Sequence, residues 1–148
     1  MNKKELINEM KSLILKASKI INKKIDKNDI YIQYQSLNHQ PLKLPDNKMA
    51  IYTFVYNNEF LKIGQANYNS KARYQYHHYY VKSGRSTLAN RLLNDPIMNN
   101  VINKNDISTW IKENCERFDV IIDKKYGKYC LNFIEGMFHY KYNPKYEK

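Results

Sequence analysis

The chain has 148 residues, with 25 Lys and Arg against 14 Asp and Glu, a formal charge of +11. Apolar residues make up 43% and charged residues 26% of it, which excludes a disordered polyelectrolyte and indicates one globular domain. A chain of this length buries roughly 70% of its unfolded surface without needing disulfide staples.

Lysines interrupt the apolar positions of MNKKELINEMKSLILKASKI, leaving no apolar run of signal-peptide or membrane-span length. Cys115 and Cys130 stand in no CxxC or Cys/His metal spacing, so they read as reduced thiols. A cytoplasmic protein without membrane contact is the expectation. The positive balance points to a polyanion partner through counterion release. Lys, Asn, Ile and Tyr are also the residues that AT-rich codons supply, so charge alone identifies the partner weakly.

From Lys3 to about Lys24, Leu6, Met10, Leu13, Ile14, Ala17, Ile20 and Ile21 fall on one helical stripe, predicting an amphipathic helix packed on the core. Residues 1–48 read as this helix, a weakly alternating segment over Ile30–Gln35 that could form a short strand outside the main sheet, and a connector carrying Pro41 and Pro45; residues 49–148 read as the main domain. AIYTFVY and EFLKIG around Asn57-Asn58 give the clearest hairpin signal. Asn69 to about Tyr80 is predicted helical. Ser86 is expected to cap a helix that ends before Pro96, Pro96 to Asn105 reads as a loop, and Ser108 is expected to cap a short helix. Arg117 to Ile122 alternates, with Phe118, Val120 and Ile122 on one side. A last helix is predicted from about Lys128 to Tyr142, ended by Asn143-Pro144. The expectation is an α+β fold with a small, mostly antiparallel three-stranded sheet and an N-terminal helical extension.

Both sides of the hairpin are apolar: Ile51, Val55, Leu61 and Ile63 share one parity, Phe54 and Phe60 the other. Tyr52 and Lys62 are the polar-tipped residues on the Phe54 side. They face each other only if an odd-numbered loop or a bulge sets the register, with Tyr52 opposite Lys62 and Phe54 opposite Phe60. Gly64 ends the second strand where backbone could approach a ligand closely. Arg73 suits phosphate, and His77 follows one helical turn later, able to share protons near neutrality. Glu135 lies at the edge of the apolar stripe of the last helix, where a carboxylate calls for a partner or a metal.

Taken together these segments resemble the GIY-YIG nucleases. AIYTF…LKIG is similar to the GIY…YIG signature, ARYQYHHY to the family's arginine–histidine helix, and LNFIEGMFHYKYNP to the closing helix with its metal-binding glutamate and following asparagine, here Asn143. The resemblance spans about Ala50 to Tyr146. Ala50 replaces the first glycine of the signature, and Lys62 stands where the second tyrosine usually does, as in some restriction-type members.

The resemblance implies DNA phosphodiester hydrolysis with one Mg²⁺ or Mn²⁺ held by Glu135. Arg73 and Lys62 would neutralise the phosphate, and Tyr52, acidified by Lys62 or relayed through His77, would serve as general base; His77 itself is the alternative base. Lys71, Lys82, Arg85 and Arg91 read as the phosphate track, His78 and His139 as bystanders. Double-stranded DNA is the expected partner, recognised through a short contact or by a homodimer. The alternatives are a basic nucleic-acid-binding module with a vestigial site and an RNA-directed nuclease.

Overall fold

Four strands and six α-helices organise the residues described by the computed structural model, 2–84 and 86–147. Helix α1 (Lys3–Ile20) starts where the Asn2 side chain accepts hydrogen bonds from the Lys4 and Glu5 amides, and it buries Leu6, Met10 and Ile14 along one stripe. Strands β1 (Ile30–Gln35), β2 (Lys48–Tyr56), β3 (Glu59–Ala66) and β4 (Arg117–Asp123) pair throughout antiparallel in the order β1-β4-β2-β3. The fold is therefore α+β, with four strands where the sequence predicts three. β1 is the added strand, running from Ile30 opposite Ile122 to Gln35 opposite Arg117. Its alternation is weak because Gln33 and Gln35 carry polar side chains that bond Tyr74 and Asp119.

The hairpin combines an even turn with a bulge. Asn57 and Asn58 both have positive φ, 48° and 65°, as a tight two-residue turn requires, and Tyr56 pairs with Glu59. The register then shifts between Phe54 and Val55: Val55 pairs with Phe60 but Phe54 with Lys62, which leaves Leu61 as the extra residue. The parity change restores Tyr52 and Lys62 to one face, yet Tyr52 stands opposite Gly64, and Lys62 opposite Phe54. The bulge also exchanges two core residues. Leu61 packs with Tyr52 and Phe54, while Phe60 joins Ile51, Val55 and Ile63.

Each face of the sheet is covered. One carries Tyr52, Phe54, Leu61 and Ile121 beneath α2 (Lys71–Gln75), α3 (Leu88–Asn94), α4 (Pro96–Asn99) and α5 (Ile107–Asn114). The other carries Ile51, Val55, Ile63, Phe118, Val120 and Ile122 against α1 and α6 (Gly127–Tyr142), whose Leu131, Ile134 and Phe138 are buried. Asn143, at φ 45°, ends α6 in the left-handed conformation just before Pro144.

The expected helix over 69–80 is broken. Tyr76 leaves the helical range at φ −122°, and two single turns follow, His77–Tyr79 and Val81–Ser83, so that His78 and Tyr79 both turn inward. Thr87, not Ser86, caps α3 by accepting from the Asn90 amide at 3.2 Å. Pro96 opens α4 under an Asp95 cap instead of a loop, because proline at a first helical position loses no hydrogen bond. Ser108 lies inside α5. No helix of the described residues is long and apolar enough to cross a membrane.

Candidate functional site

Tyr52 is fixed from three sides. Its ring is 1% exposed, and Gly64 lies directly across on β3. A Cβ placed on Gly64 would meet the Tyr52 hydroxyl at 2.5 Å and its ring at 2.6 Å, so only glycine admits this side chain. The hydroxyl lies 2.6 Å from His78 Nε2 and 3.4 Å from Arg73 Nε. His78 Nδ1 accepts the Leu88 amide at 3.2 Å and so holds no proton of its own in the neutral ring. The neutral tautomer therefore carries its proton on Nε2 and donates it to Tyr52. Two N–H groups thus converge on one phenol oxygen.

Electrostatics set the proton states. Burial, with the cations Lys62, Arg117 and Arg73 nearby, pushes the His78 imidazole down to about 2, so it is neutral at any working pH. Burial holds the Tyr52 phenol above its ordinary value, opposed by its hydrogen bond from Arg73. His77 is lowered by burial and by Arg73 and Lys62, which makes it a neutral proton acceptor. Its ring stands perpendicular to that of His78 at 5.1 Å between centroids. Because α2 ends before it, His77 and Arg73 do not share one continuous helix.

Lys62 is buried, diagonal to Tyr52 on the same face, and forms an ion pair with Glu147. Its ammonium is therefore engaged by a carboxylate, not by the phenol, and the Tyr52 hydroxyl receives its donors from His78 and Arg73. The sequence assigns His78 no role; its only signal there is an adjacent His-His pair followed by aromatics.

Glu135 rises from α6, in the layer opposite Tyr52. β3 is an edge strand, and there the two layers meet. Burial raises the Glu135 carboxyl, while His139, Arg73 and Lys62 lower it, so its charge reaches the same cations that surround Tyr52. His139 packs against this edge, with Nε2 3.0 Å from the Ile63 carbonyl. A hollow of about 250 Å³ opens beside it, lined by Gln65, Asn67, Ser70, Arg73, Lys128, Leu131 and Asn132. Arg73 and the α6 turn preceding Glu135 thus share one cavity, whereas Tyr52, Lys62 and Glu135 do not line it.

Among the described residues no group of three or more His, Cys, Asp or Glu side chains is placed to hold a metal. Mg²⁺ keeps several waters and is bound by one or two carboxylates, so the fit rests on Glu135 alone, half-buried and without a hydrogen bond or ion pair among the described residues. Of the expected phosphate track, Lys71 pairs with Asp46, and Lys82 and Arg91 are exposed on the Tyr52 side of the sheet. Arg85 lies outside the described residues.

A larger hollow, about 670 Å³, lies between the end of α1 and the start of α6, with Lys23, Lys24 and Tyr129 in its wall and none of the predicted site residues. The same layer as Tyr52 also holds a polar network that the sequence does not predict. Arg117, fully buried, pairs with Asp119 at 2.8 Å and donates to Tyr79 at 3.1 Å. Asp119 accepts from Tyr74 at 2.8 Å and from the Thr53 amide at 3.2 Å. Its one signal in the sequence is that Arg117 and Asp119 alternate with Phe118 and Val120 in a strand otherwise apolar on both faces. Comparison with known proteins finds no matching family model, no matching curated protein and no matching solved structure.

Proposed function

We propose that this chain is a metal-dependent nuclease of the GIY-YIG type that hydrolyses DNA phosphodiester bonds. The observation that carries the reading is a buried tyrosine hydroxyl held by an imidazole N–H and an arginine N–H at the sheet edge, where a half-buried glutamate acts electrostatically on the same arginine. Clustered groups with perturbed proton affinity are enriched at functional sites.

Arg73, partly exposed at the hollow, suits a non-bridging phosphate oxygen, and its planar donors fit that geometry. Glu135 would hold one Mg²⁺ or Mn²⁺. When bound, such an ion stabilises charge on the phosphate and on the leaving oxygen. Tyr52, once its own proton is lost to solvent, would take the proton of the attacking water. The His78 and Arg73 N–H groups favour its anionic form, although burial works against them and leaves the free phenol protonated near neutrality. His77, neutral and without such burial, is the second candidate base. Target recognition would use a short contact or a homodimer, since α1 and the loops around α4 are the spare material.

Plasmid DNA and RNA incubated with the protein, with Mg²⁺ or with EDTA, test the reading beside Glu135→Ala. Metal-dependent DNA cuts, lost by at least about a hundredfold in the variant, are expected for a residue that holds the metal. Binding without cutting would leave a binding module in its place, and preferential RNA cutting would reassign the substrate.

A further inference from the structure

The chain does not leave the sheet after α6. Asn143 turns it back, and Pro144 is buried. The Lys145 amide then donates to the Phe60 carbonyl at 2.9 Å and the Tyr146 amide to the Leu61 carbonyl at 3.0 Å. Residues 144–147 thus form a strap along the outer edge of β3, at the bulge. Asp95 anchors it from the junction of α3 and α4, accepting from the Tyr146 hydroxyl at 2.7 Å and pairing with Lys145 at 2.7 Å.

The strap delivers Glu147 to Lys62. In this ion pair the lysine side chain is 7% exposed and the glutamate 23%. Glu147 also acts electrostatically on Arg73 and Glu135. A carboxylate supplied by the chain itself therefore lies on one of the two cations that a phosphodiester would need, and close enough to influence the other.

We propose that Glu147 is an internal competitor for phosphate: the strap holds its carboxylate in the oxyanion subsite of Lys62, and a phosphodiester displaces it. This rests on reading Lys62 and Arg73 as the phosphate-binding cations. A buried ammonium without a partner is unfavourable, so some anion must attend Lys62 whenever no polyanion is bound. Glu147 suits a temporary holder. Its carboxylate has no partner but Lys62 among the described residues, it keeps partial contact with water, and its backbone amide bonds only the adjacent Pro144 carbonyl, at 3.3 Å. The Lys145 and Tyr146 anchors stay in place if the Glu147 side chain alone swings out.

The test compares binding with hydrolysis switched off. A short labelled DNA duplex and, separately, inorganic phosphate are titrated in EDTA against the unaltered chain, Glu147→Gln, Lys62→Gln and the double variant, with thermal melts confirming that each is folded. Removing the competitor should tighten duplex binding by about fivefold, the scale of one partly solvated ion pair. In the Lys62→Gln background that gain should vanish. Tyr146→Phe, which loosens the strap without altering any charge at Lys62, should shift binding the same way by a smaller factor.

Where the unaltered chain binds the duplex, equal or weaker binding by Glu147→Gln would overturn the proposal and make Glu147 a structural counter-ion or a ligand in its own right. If neither protein binds the duplex but the variant gains affinity for phosphate, the competitor stands and the nucleic-acid reading falls. No gain for either anion rejects the competitor while leaving the nuclease reading to its own assay.

Discussion

At the scale of single residues, the site depends on an absence. Gly64 has no side chain, and Tyr52 fills the space where one would be. Gly64→Ala would force the phenol away from His78 and Arg73, since a Cβ there meets three atoms of the Tyr52 side chain at 2.5–2.6 Å. Overpacking of this kind costs roughly 1–3 kcal/mol. The expected outcome is a folded protein with a lowered melting temperature and a much larger fall in cleavage rate. Near-normal cleavage would show that the position of Tyr52 is irrelevant to the chemistry. Gly64 is half legible in the sequence: it reads as a close-approach position at the end of the strand, open to a ligand, whereas β3 runs on to Ala66 and the Tyr52 side chain takes the space. His78 is not legible over His77. Which of two neighbouring imidazoles turns inward depends on where the helix breaks, and the break falls at Tyr76, whose φ is −122°.

Elements show a similar division. Strand β4 and helix α6 are legible to within a residue or so, since their apolar periodicity faces a real core. Hairpin register is half legible. The sequence demands an odd loop or a bulge to bring Tyr52 and Lys62 to one face, and a bulge supplies it, but placing that bulge at Leu61 moves Lys62 off Tyr52. β1 is legible as a weak strand over Ile30–Gln35, but its place in the sheet is hidden by polar inward residues whose partners lie far along the chain. Those partners centre on Asp119, and Asp119→Ala tests their importance. It would leave the fully buried Arg117 guanidinium without its anion, an arrangement that costs roughly 3–5 kcal/mol. Denaturant unfolding should show that loss. A change below about 1 kcal/mol would mean that Tyr79 and the surrounding rings suffice to hold the charge.

For the whole molecule, two buried imidazoles couple stability to acid. His39 is pushed down to about 4 by burial and by Arg117, and His78 to about 2. Both are lower folded than unfolded, so the unfolded chain binds more protons once pH falls below the ordinary histidine value of 6.5. Their contribution is complete above that value and is lost as pH drops toward 4 and beyond. The melting temperature should therefore fall between pH 7 and pH 4, and His39→Gln should flatten the upper part of that decline. A melting temperature that holds steady or rises over this range would contradict the burial of both rings.

The strand order has a consequence for how the chain reaches this state. Ile30 must find Ile122, and Gln35 must find Arg117, before β1 has any neighbour, because it lies at the far side of β4. During synthesis the first helix and strand emerge long before the segment that will receive them. Non-local pairing of this kind raises contact order and slows folding. The early segment must stay unpaired, its hydrogen-bonding edge bare, until β4 has left the ribosome.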